Sequence, residues 1–271
     1  MIDRDAEDAL AAAVDAARAG DRLALERVVR AVQDGVFRLA LRMTGCPNDA
    51  RDACQEILVK VVTRLDSFRG EASVRTWAYR IAVRHLLDRK KSRVEELALS
   101  FERLGADLLD GLAAPEEADP VMIEEVKLGC TLAMLTCLDR EHRLAYVLGD
   151  VFDLPHRDAA ELCGATEEAY RQRLSRARRA LEAFTEAFCG RVREAAPCRC
   201  DKRVARAEEL GRIERGRPRL AHAEALRATR EMESLYDTAR LMRSHPRYAA
   251  PADVALGVRM ALEGAGSRVL G

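Results

Sequence analysis

The sequence predicts an all-α protein in which two small helical domains are joined by an acidic, flexible linker and followed by a helical C-terminal extension. Three observations support this fold class. Hydrophobic residues make up 48% of the 271 residues but aromatic residues only 4%, and the chain is rich in alanine, leucine and arginine, which favour helices. Apolar residues recur at helical spacing over long stretches. We find no strand-like alternation of apolar and polar residues.

The first domain is predicted over residues 8–93 and contains three long helices. Apolar residues recur at helical spacing from Ala24 to Met43, and a second amphipathic helix follows over 49–65. The third helix, over 73–91, is basic and holds the only tryptophan, Trp77. A lone tryptophan among helical apolar residues usually belongs to the core, so we expect Trp77 to pack inside this domain.

The remaining divisions follow from changes in composition. Residues 94–121 carry eight acidic side chains against the single Arg103, together with glycines and prolines, which is typical of a flexible linker. A second helical domain is predicted over 122–187 and a cysteine-containing helical extension over 188–271. Within the second domain, residues 156–179 have the pattern of a helix-turn-helix.

The helix-turn-helix pattern has three parts. A short apolar helix is followed by Gly164, which permits a sharp turn, and by Thr166, whose hydroxyl can cap the next helix. After Tyr170 the outward positions of that helix are crowded with arginines, whose forked donors suit phosphates and guanine edges. Taken alone, the same residues also fit a solvated helix of an arginine-rich protein.

The net charge of the chain is zero, so any nucleic-acid contact must come from charge that is segregated along the sequence. Residues 64–93 carry nine Lys or Arg against three acids. The N-terminus has no basic-then-apolar leader, and no apolar run is long enough to span a bilayer. We therefore expect a cytoplasmic protein without a membrane segment, whose eight cysteines are reduced thiols.

Two motif blocks occur in a recognisable order. The first is DARDACQEILVKVVTRLDSFRGEASVRTWAYRIAVRHLLDRKK and the second, after the acidic linker, is LDREHRLAYVLGDVFDLPHRDAAELCGATEEAYRQRLSRARRAL. This arrangement, over residues 8 to about 185, closely resembles the extracytoplasmic-function class of bacterial RNA polymerase sigma factors. The resemblance implies a non-enzymatic initiation factor whose partners are core RNA polymerase and promoter DNA, with an anti-sigma factor as a further candidate.

The resemblance assigns the first domain to the promoter's minus 10 element. A protein that holds an opened strand needs a basic surface beside a loop that admits an unstacked base, and the resemblance places that loop at 68–73. Arg80 and Arg84 also fit plain solvated arginines. The expected minus 10 contacts are Phe68, Arg69, Gly70, Glu71, Ser73, Arg75, Arg80, Arg84, Arg89 and Lys90.

The second domain is assigned by the same resemblance to the minus 35 element. A recognition helix enters the major groove by its first turns, so the earlier residues are expected at base edges and the later ones at phosphates. The expected base contacts are Thr166, Glu168, Tyr170, Arg171 and Arg173, and the expected phosphate contacts are Ser175, Arg176 and Arg178.

The second long helix carries an acidic face that would repel DNA. Its residues are Asp49, Asp52, Gln55 and Glu56. The resemblance implies that this face docks on the clamp helices of the polymerase largest subunits. An ordinary charged helix exterior is the alternative.

The extension holds three closely spaced cysteines, Cys189, Cys198 and Cys200. Three thiolates could converge on zinc or another metal, with His222 or another cysteine as a fourth ligand. Metal or redox sensing, a structural zinc clip and incidental cysteines all fit this pattern, and no cofactor is certain. The other five cysteines are expected to be packing residues: Cys46, Cys54, Cys130, Cys137 and Cys163.

Two other protein classes fit part of the sequence. A helix-turn-helix repressor with a sensory C-terminal domain needs only the second domain and leaves the basic segment 68–91 unexplained. A DNA-acting enzyme such as a recombinase would need a nucleophile with basic or acidic partners, and neither Tyr170 nor Tyr236 has them nearby in sequence.

Overall fold

A computed structural model describes residues 4–90, 100–111, 118–221 and 237–264. The described residues are helical apart from turns, loops and one isolated backbone bridge, which confirms the all-α prediction. The helices are α1 (Arg4–Arg18), α2 (Arg22–Thr44), α3 (Pro47–Thr63), α4 (Val74–Asp88), α5 (Phe101–Leu109), α6 (Pro120–Thr136), α7 (Arg140–Tyr146), α8 (His156–Leu162), α9 (Glu167–Phe188), α10 (Val204–Glu209), α11 (Thr238–Arg243) and α12 (Ala252–Gly264).

Backbone contacts divide the chain into two compact units. The first comprises Met1–Leu41, Asn48–Lys90 and Tyr248–Gly271, and the second comprises Arg42–Pro47 and Lys91–Arg247. The extension predicted as one piece over 188–271 is thus shared between the two units. The other predicted domain limits stay predictions.

The core of the first unit lies between the apolar faces of its long helices. Leu39 of α2 and Ile57 and Leu58 of α3 are fully shielded from solvent. Trp77 of α4 is buried and its ring meets that of Phe68 edge-on, with centroids 5.6 Å apart. The packing prediction for Trp77 is therefore confirmed.

The core of the second unit lies where α9 crosses α7 and the single π-helical turn Val147–Val151. Tyr170 and Leu174 of α9 are buried there. The backbone of Gly149 lies so close that a Cβ atom on it would be 2.5 Å from Oη of Tyr170 and 3.0 Å from a methyl group of Leu174. Only glycine admits this approach without displacing the two side chains.

The predicted flexible linker is wrong for residues 101–109, which form α5. Ser100 caps this helix by accepting a hydrogen bond from the Arg103 amide, and Leu104 and Leu108 are buried. Its Asp107 has a basic partner in the extension, because it accepts two hydrogen bonds from Arg212 at 2.6 and 2.7 Å. The burial of its apolar face and the pairing of Asp107 explain why this acidic segment forms a helix. Residues 94–99 and 112–117 lie outside the described residues.

The extension is tied to the second unit by buried polar contacts. The hydroxyls of Thr185 and Thr238 lie 2.7 Å apart, and the hydroxyl of Thr131 lies 2.6 Å from Nε2 of His245. Burial lowers the pKa of His245 well below its ordinary value, so this imidazole is neutral near pH 7. The contacts join α6 and α9 to residues 237–247.

Candidate DNA and polymerase surfaces

The helix-turn-helix predicted at 156–179 is present in the second unit. It comprises α8, a turn in which Gly164 has a φ of +61°, and α9. Thr166 caps α9, because its side-chain oxygen accepts a hydrogen bond from the Ala169 amide at 3.2 Å. The local sequence therefore starts the recognition helix where the pattern predicts.

One face of α9 is open to solvent over three turns and forms a shallow depression, which we call the outward face of α9. Among the described residues, neither Arg176 nor Arg179 has a carboxylate within ion-pair distance. Gln172 was not among the predicted contacts, although its helical spacing from Glu168 marks the same face, and Arg179 is one of the outward arginines of the predicted pattern. The outward face consists of Glu168, Arg171, Gln172, Ser175, Arg176 and Arg179.

Besides Thr166, which caps α9, and Arg171, which pairs with Glu167 at 3.4 Å, three of the residues predicted to contact the minus 35 element are held by other groups of the protein. Tyr170 is 0% exposed and its hydroxyl donates to the carbonyl of Ala145 at 3.0 Å, so its prediction as a base contact is wrong. Arg178 donates to both carboxylate oxygens of Asp150 at 2.8 and 2.5 Å. Arg173 pairs with Glu141 at 2.9 Å. The helical period places Tyr170 on the inner face with Leu174, and Arg178 beside it.

The loop before α4 borders an open cavity of about 480 Å³ in the first unit. Arg69, Gly70 and Glu71 are exposed on this loop, and Gly70 has a φ of +73°. Glu7 and Asp8 of α1 line the opposite wall. Sequence reasoning missed these two acids because they lie some sixty residues before the loop.

Phe68 was predicted to contact DNA, but it is buried against Trp77, and that prediction is wrong for this structure. The apolar ring completes the core beneath the loop, and burying it removes its surface from water. Ser73, predicted beside it, caps α4 by accepting a hydrogen bond from the Thr76 amide at 3.0 Å. Its hydroxyl therefore has a structural role.

The basic residues of α4 and of the two positions that follow it differ in their surroundings. Arg75 is ion-paired with Glu7, and Nη1 of Arg89 donates to the carbonyl of Asp49 at 3.4 Å. Arg84 is 81% exposed and only loosely paired, with its Nε atom 3.9 Å from Asp88. Arg80 is half-buried and Lys90 is exposed. Arg84 is thus well placed for a phosphate.

The acidic face of α3 is partly open. The side chains of Asp52 and Glu56 are 53% and 54% exposed, whereas Asp49 and Gln55 are half-buried. Nε2 of His85 lies 3.2 Å from Glu56, and Nδ1 of the same ring lies 2.6 Å from Nζ of Lys60. Burial and the Lys60 charge lower the pKa of His85, so it adds no positive charge to this face near pH 7.

The three cysteines of the extension lie in the second unit. Cys189 and Cys198 form an isolated parallel backbone bridge, in which the Gly190 amide donates to the Cys198 carbonyl at 2.9 Å. Both thiols, with those of Cys130 and Cys200, line an apolar cavity of about 570 Å³. Burial raises the pKa of Cys198 to about 12 and that of Cys200 to about 11, so both are protonated at neutral pH.

The metal prediction finds no preformed site. Within the described ranges, no three His, Cys, Asp or Glu side chains are arranged so that they could hold a metal ion. His222, the candidate fourth ligand, lies outside those ranges. Cys130 was predicted as a packing residue, and its approach to the other three thiols could not be read from a separation of some sixty residues.

None of the described helices combines the length and the apolar character needed to cross a membrane.

Comparison with known proteins gives matches on both units. Residues 28–95 match the model of sigma-70 region 2, and residues 128–181 match that of sigma-70 region 4. The chain is 29% identical over 174 residues to the ECF RNA polymerase sigma factor SigE of Mycolicibacterium smegmatis, covering 61% of this chain and 64% of SigE. It is 26% identical over 167 residues to SigW of Bacillus subtilis, covering 60% of this chain and 89% of SigW.

Among solved structures, CnrH in complex with the cytosolic domain of CnrY is 21% identical, with a TM-score of 0.48, over 65% of this chain and 97% of that one. The family matches fall on the unit with the basic α4 and on the unit with the helix-turn-helix, in the order that the two motif blocks predict. The matches to regions 2 and 4 and to these relatives support an extracytoplasmic-function sigma factor, the class of proteins that bind core RNA polymerase and direct promoter-specific initiation of transcription.

Proposed function

We propose that this chain acts in the cytoplasm, without catalytic activity of its own, and reads the minus 35 element with the outward face of α9 and the minus 10 element with the loop at 69–73 and α4. The observation that carries this proposal is the outward face of α9. It combines Gln172 and Ser175 with two arginines that have no carboxylate partner in the described part of the chain, all on one side of a capped helix. Such a face suits the major groove.

The minus 35 contacts are assigned by exposure. Arg171, Gln172 and Arg176 present guanidinium and amide groups that can donate to base edges or phosphates. Glu168, at the first turn, can accept from a cytosine amino group. Arg173 and Arg178, which are held by Glu141 and Asp150, position the helix and make at most a secondary contact with DNA.

The minus 10 contacts are assigned to the cavity beside the loop. A volume of about 480 Å³ accommodates an unstacked base, and Arg69 and Arg84 stand ready for the flanking phosphates. Glu7 and Asp8 supply carboxylate acceptors on one wall, which suit a base with an exocyclic amino group. Arg75 reaches DNA only if its pair with Glu7 opens.

The polymerase contact is assigned to the open part of α3. Asp52 and Glu56 are exposed on adjacent turns, and both would repel DNA and attract a basic protein surface. Changing Asp52→Arg should abolish binding to core polymerase while leaving the fold intact. Asp66→Arg, which makes the same charge change at an exposed position of the first unit outside this face, is the matched control.

We propose that the cysteines of the extension respond to oxidation or to a metal ion. The bridge between Cys189 and Cys198 brings their Cα atoms to the spacing of neighbouring strands, about 4.8 Å, which lies within the disulfide range. A disulfide would form when the two thiols lose two protons and two electrons to a disulfide or peroxide oxidant. Binding of a thiophilic metal is the second candidate, and it would require the thiols to rearrange.

Run-off transcription with purified core polymerase tests the function. The chain should give a promoter-dependent transcript, and Arg176→Ala together with Gln172→Ala should abolish it while leaving polymerase binding unchanged. Binding of a specific duplex without polymerase, and no transcript with it, would instead favour the repressor. Elemental analysis and thiol counting before and after mild oxidation separate the metal and disulfide alternatives for the cysteines.

A further inference from the structure

Helix α12, within the extension, contacts both α2 and α3 in the first unit. On the α3 side, Nη1 of Arg51 lies 3.5 Å from Asp253. On the α2 side, Nη2 of Arg259 lies 3.3 Å from Glu26. Just before α12, the Ala250 amide donates to Asp34 at 2.9 Å. These contacts are at sequence separations of about 200 residues or more.

The order of the contacts defines a single register. Along α3, Arg51 and then Gln55 meet Asp253 and then Gly257, so α12 runs parallel to α3. Along α2 the order is reversed, since Asp34 meets the earlier Ala250 and Glu26 meets the later Arg259. The two contacts are four residues apart on α3 and also on α12, so they span the same length along both helix axes. This is what a single helix docked along α3 requires.

The buried residues of α12 lie between these two flanks. At 100° per residue, Asp253 and Gly257 project to one side and Arg259 to the other. Val254, Val258 and Leu262, which are buried, project between them. The buried stripe therefore follows the groove between α2 and α3. Leu256 and Met260, which are 55% and 63% exposed, lie outside this stripe.

The closest approach falls on a residue of the acidic face. A Cβ atom on Gly257 would lie 2.5 Å from Nε2 and 2.7 Å from Oε1 of Gln55. The absence of a side chain at 257 thus lets the α12 backbone rest on the Gln55 amide. A helix is about 10 Å wide, so a partner helix that touches Gln55 together with Asp52 would overlap with α12.

We propose that α12 and core polymerase compete for the α2 and α3 surface, so that residues 248–262 hold the protein in a state that binds polymerase weakly. This inference rests on the proposed docking face of α3. The partner that displaces α12 is the basic helical surface expected to pair with Asp52 and Glu56. The competent state is the one in which α12 has left the groove.

The main test uses the full chain with Val258→Asp. A carboxylate in the buried stripe would have no partner, so α12 should leave the groove. If less than about one tenth of the wild-type protein is open, the affinity for core polymerase should rise at least about tenfold. Met260→Asp adds the same charge to an exposed position of the same helix and should leave the affinity unchanged.

Fluorescence anisotropy with labelled protein measures the affinity, and hydrogen exchange over 252–262 reports the release of α12. Rapid exchange in Val258→Asp with wild-type or weaker affinity would overturn the inference. If this variant misfolds, the exposed ion pair between Arg259 and Glu26 provides the test. Arg259→Glu should raise the affinity about two- to fivefold, and the added change Glu26→Arg should reverse that gain. No gain with Arg259→Glu, in a folded protein, would equally count against the inference.

A third variant separates this inference from the proposed function. Asp52→Arg in the Val258→Asp background should abolish polymerase binding. If it does and Val258→Asp alone gives no gain, the docking face stands and the competition is wrong. If the double variant binds as tightly as Val258→Asp, the docking face itself is wrong and the inference falls with it.

Discussion

The two surfaces proposed to contact DNA differ in how far their arginines are engaged within the protein. In the first unit, Arg75 is paired with Glu7 and Arg89 is bonded to the Asp49 carbonyl. On the outward face of α9, Arg176 and Arg179 project from a rigid helix without carboxylate partners among the described residues. Arg176 and Arg179 are therefore ready to bind, whereas Arg75 and Arg89 of the minus 10 surface must exchange internal contacts for DNA contacts.

This difference has a physical consequence for the order of binding. A surface that exposes free guanidinium groups gains directly from phosphate contacts. A surface whose arginines already hold protein acceptors gains only the difference between the two sets of contacts. Duplex contact through α9 should thus be stronger in isolation than contact through α4, and strand opening should depend on the polymerase.

The largest effect is expected on stability, at the buried side of α9. Tyr170→Ala should lower the free energy of unfolding of the second unit by about 3–5 kcal/mol, because it empties a fully buried aromatic site and removes the hydrogen bond to Ala145. Denaturant titration followed by circular dichroism measures this. Arg176→Ala, on the exposed side of the same helix, should change stability by less than about 0.5 kcal/mol. A small effect of Tyr170→Ala would place that ring outside the core.

The next effect concerns Arg178, which is ion-paired with Asp150 instead of being free to contact DNA. Arg178→Ala leaves the carboxylate of Asp150, which is 8% exposed, without its ion partner. Removing one partner of a buried pair costs several kcal/mol, and partial exposure of Arg178 reduces this to about 1–3 kcal/mol. Denaturant titration should show most of that loss restored by adding Asp150→Asn. An unchanged midpoint in the single variant would contradict the structural role of Arg178.

An effect of similar size, on DNA binding instead of stability, is expected on the outward face of α9. Arg176→Ala should weaken binding to a minus 35 duplex by about 1–3 kcal/mol if the side chain reads a base. Titration against duplexes with single substitutions tells the two roles apart, because loss of a base contact relaxes the preference at one position. A uniform loss across all duplexes would assign Arg176 to a phosphate.

The smallest effect is expected on α4. Arg84→Ala should weaken binding of the holoenzyme to promoter DNA only a few-fold and reduce the slope of log affinity against log salt by about 1, with sequence preference unchanged. Filter binding over a range of salt concentrations measures the slope. Arg64→Ala, an exposed arginine outside the proposed surface, is the control. An unaltered slope for Arg84→Ala would remove this residue from the DNA contact.

The sequence was sufficient for the features that depend on local pattern. Helical period, the Gly164 turn and the Thr166 cap predicted the helix-turn-helix, and the same period marks Tyr170 as an inner residue beside Leu174. The period would also have revealed α5, because Phe101, Leu104 and Leu108 recur on one edge. In that segment the count of acids outweighed a real apolar pattern.

The features that could not be predicted depend on long-range contacts. Asp150 meets Arg178 across 28 residues, and Glu7 meets Arg75 across 68. The local sequence around an arginine does not indicate whether it has such a distant partner. Only the three-dimensional structure distinguishes the ion-paired arginines from the exposed ones. The docking of α12 on α2 and α3 is the extreme case, with Glu26 and Arg259 separated by 233 residues.

The position of α12 in the chain also sets a time delay during synthesis. The ribosome completes α1 to α4 first and must then make all of residues 91–247 before the segment that fills the groove of the first unit. At about 5–20 residues per second, this interval lasts roughly 10–30 seconds. A nascent chain would therefore present an uncovered α3 to polymerase, and any product that terminates before Tyr248 would keep it uncovered permanently.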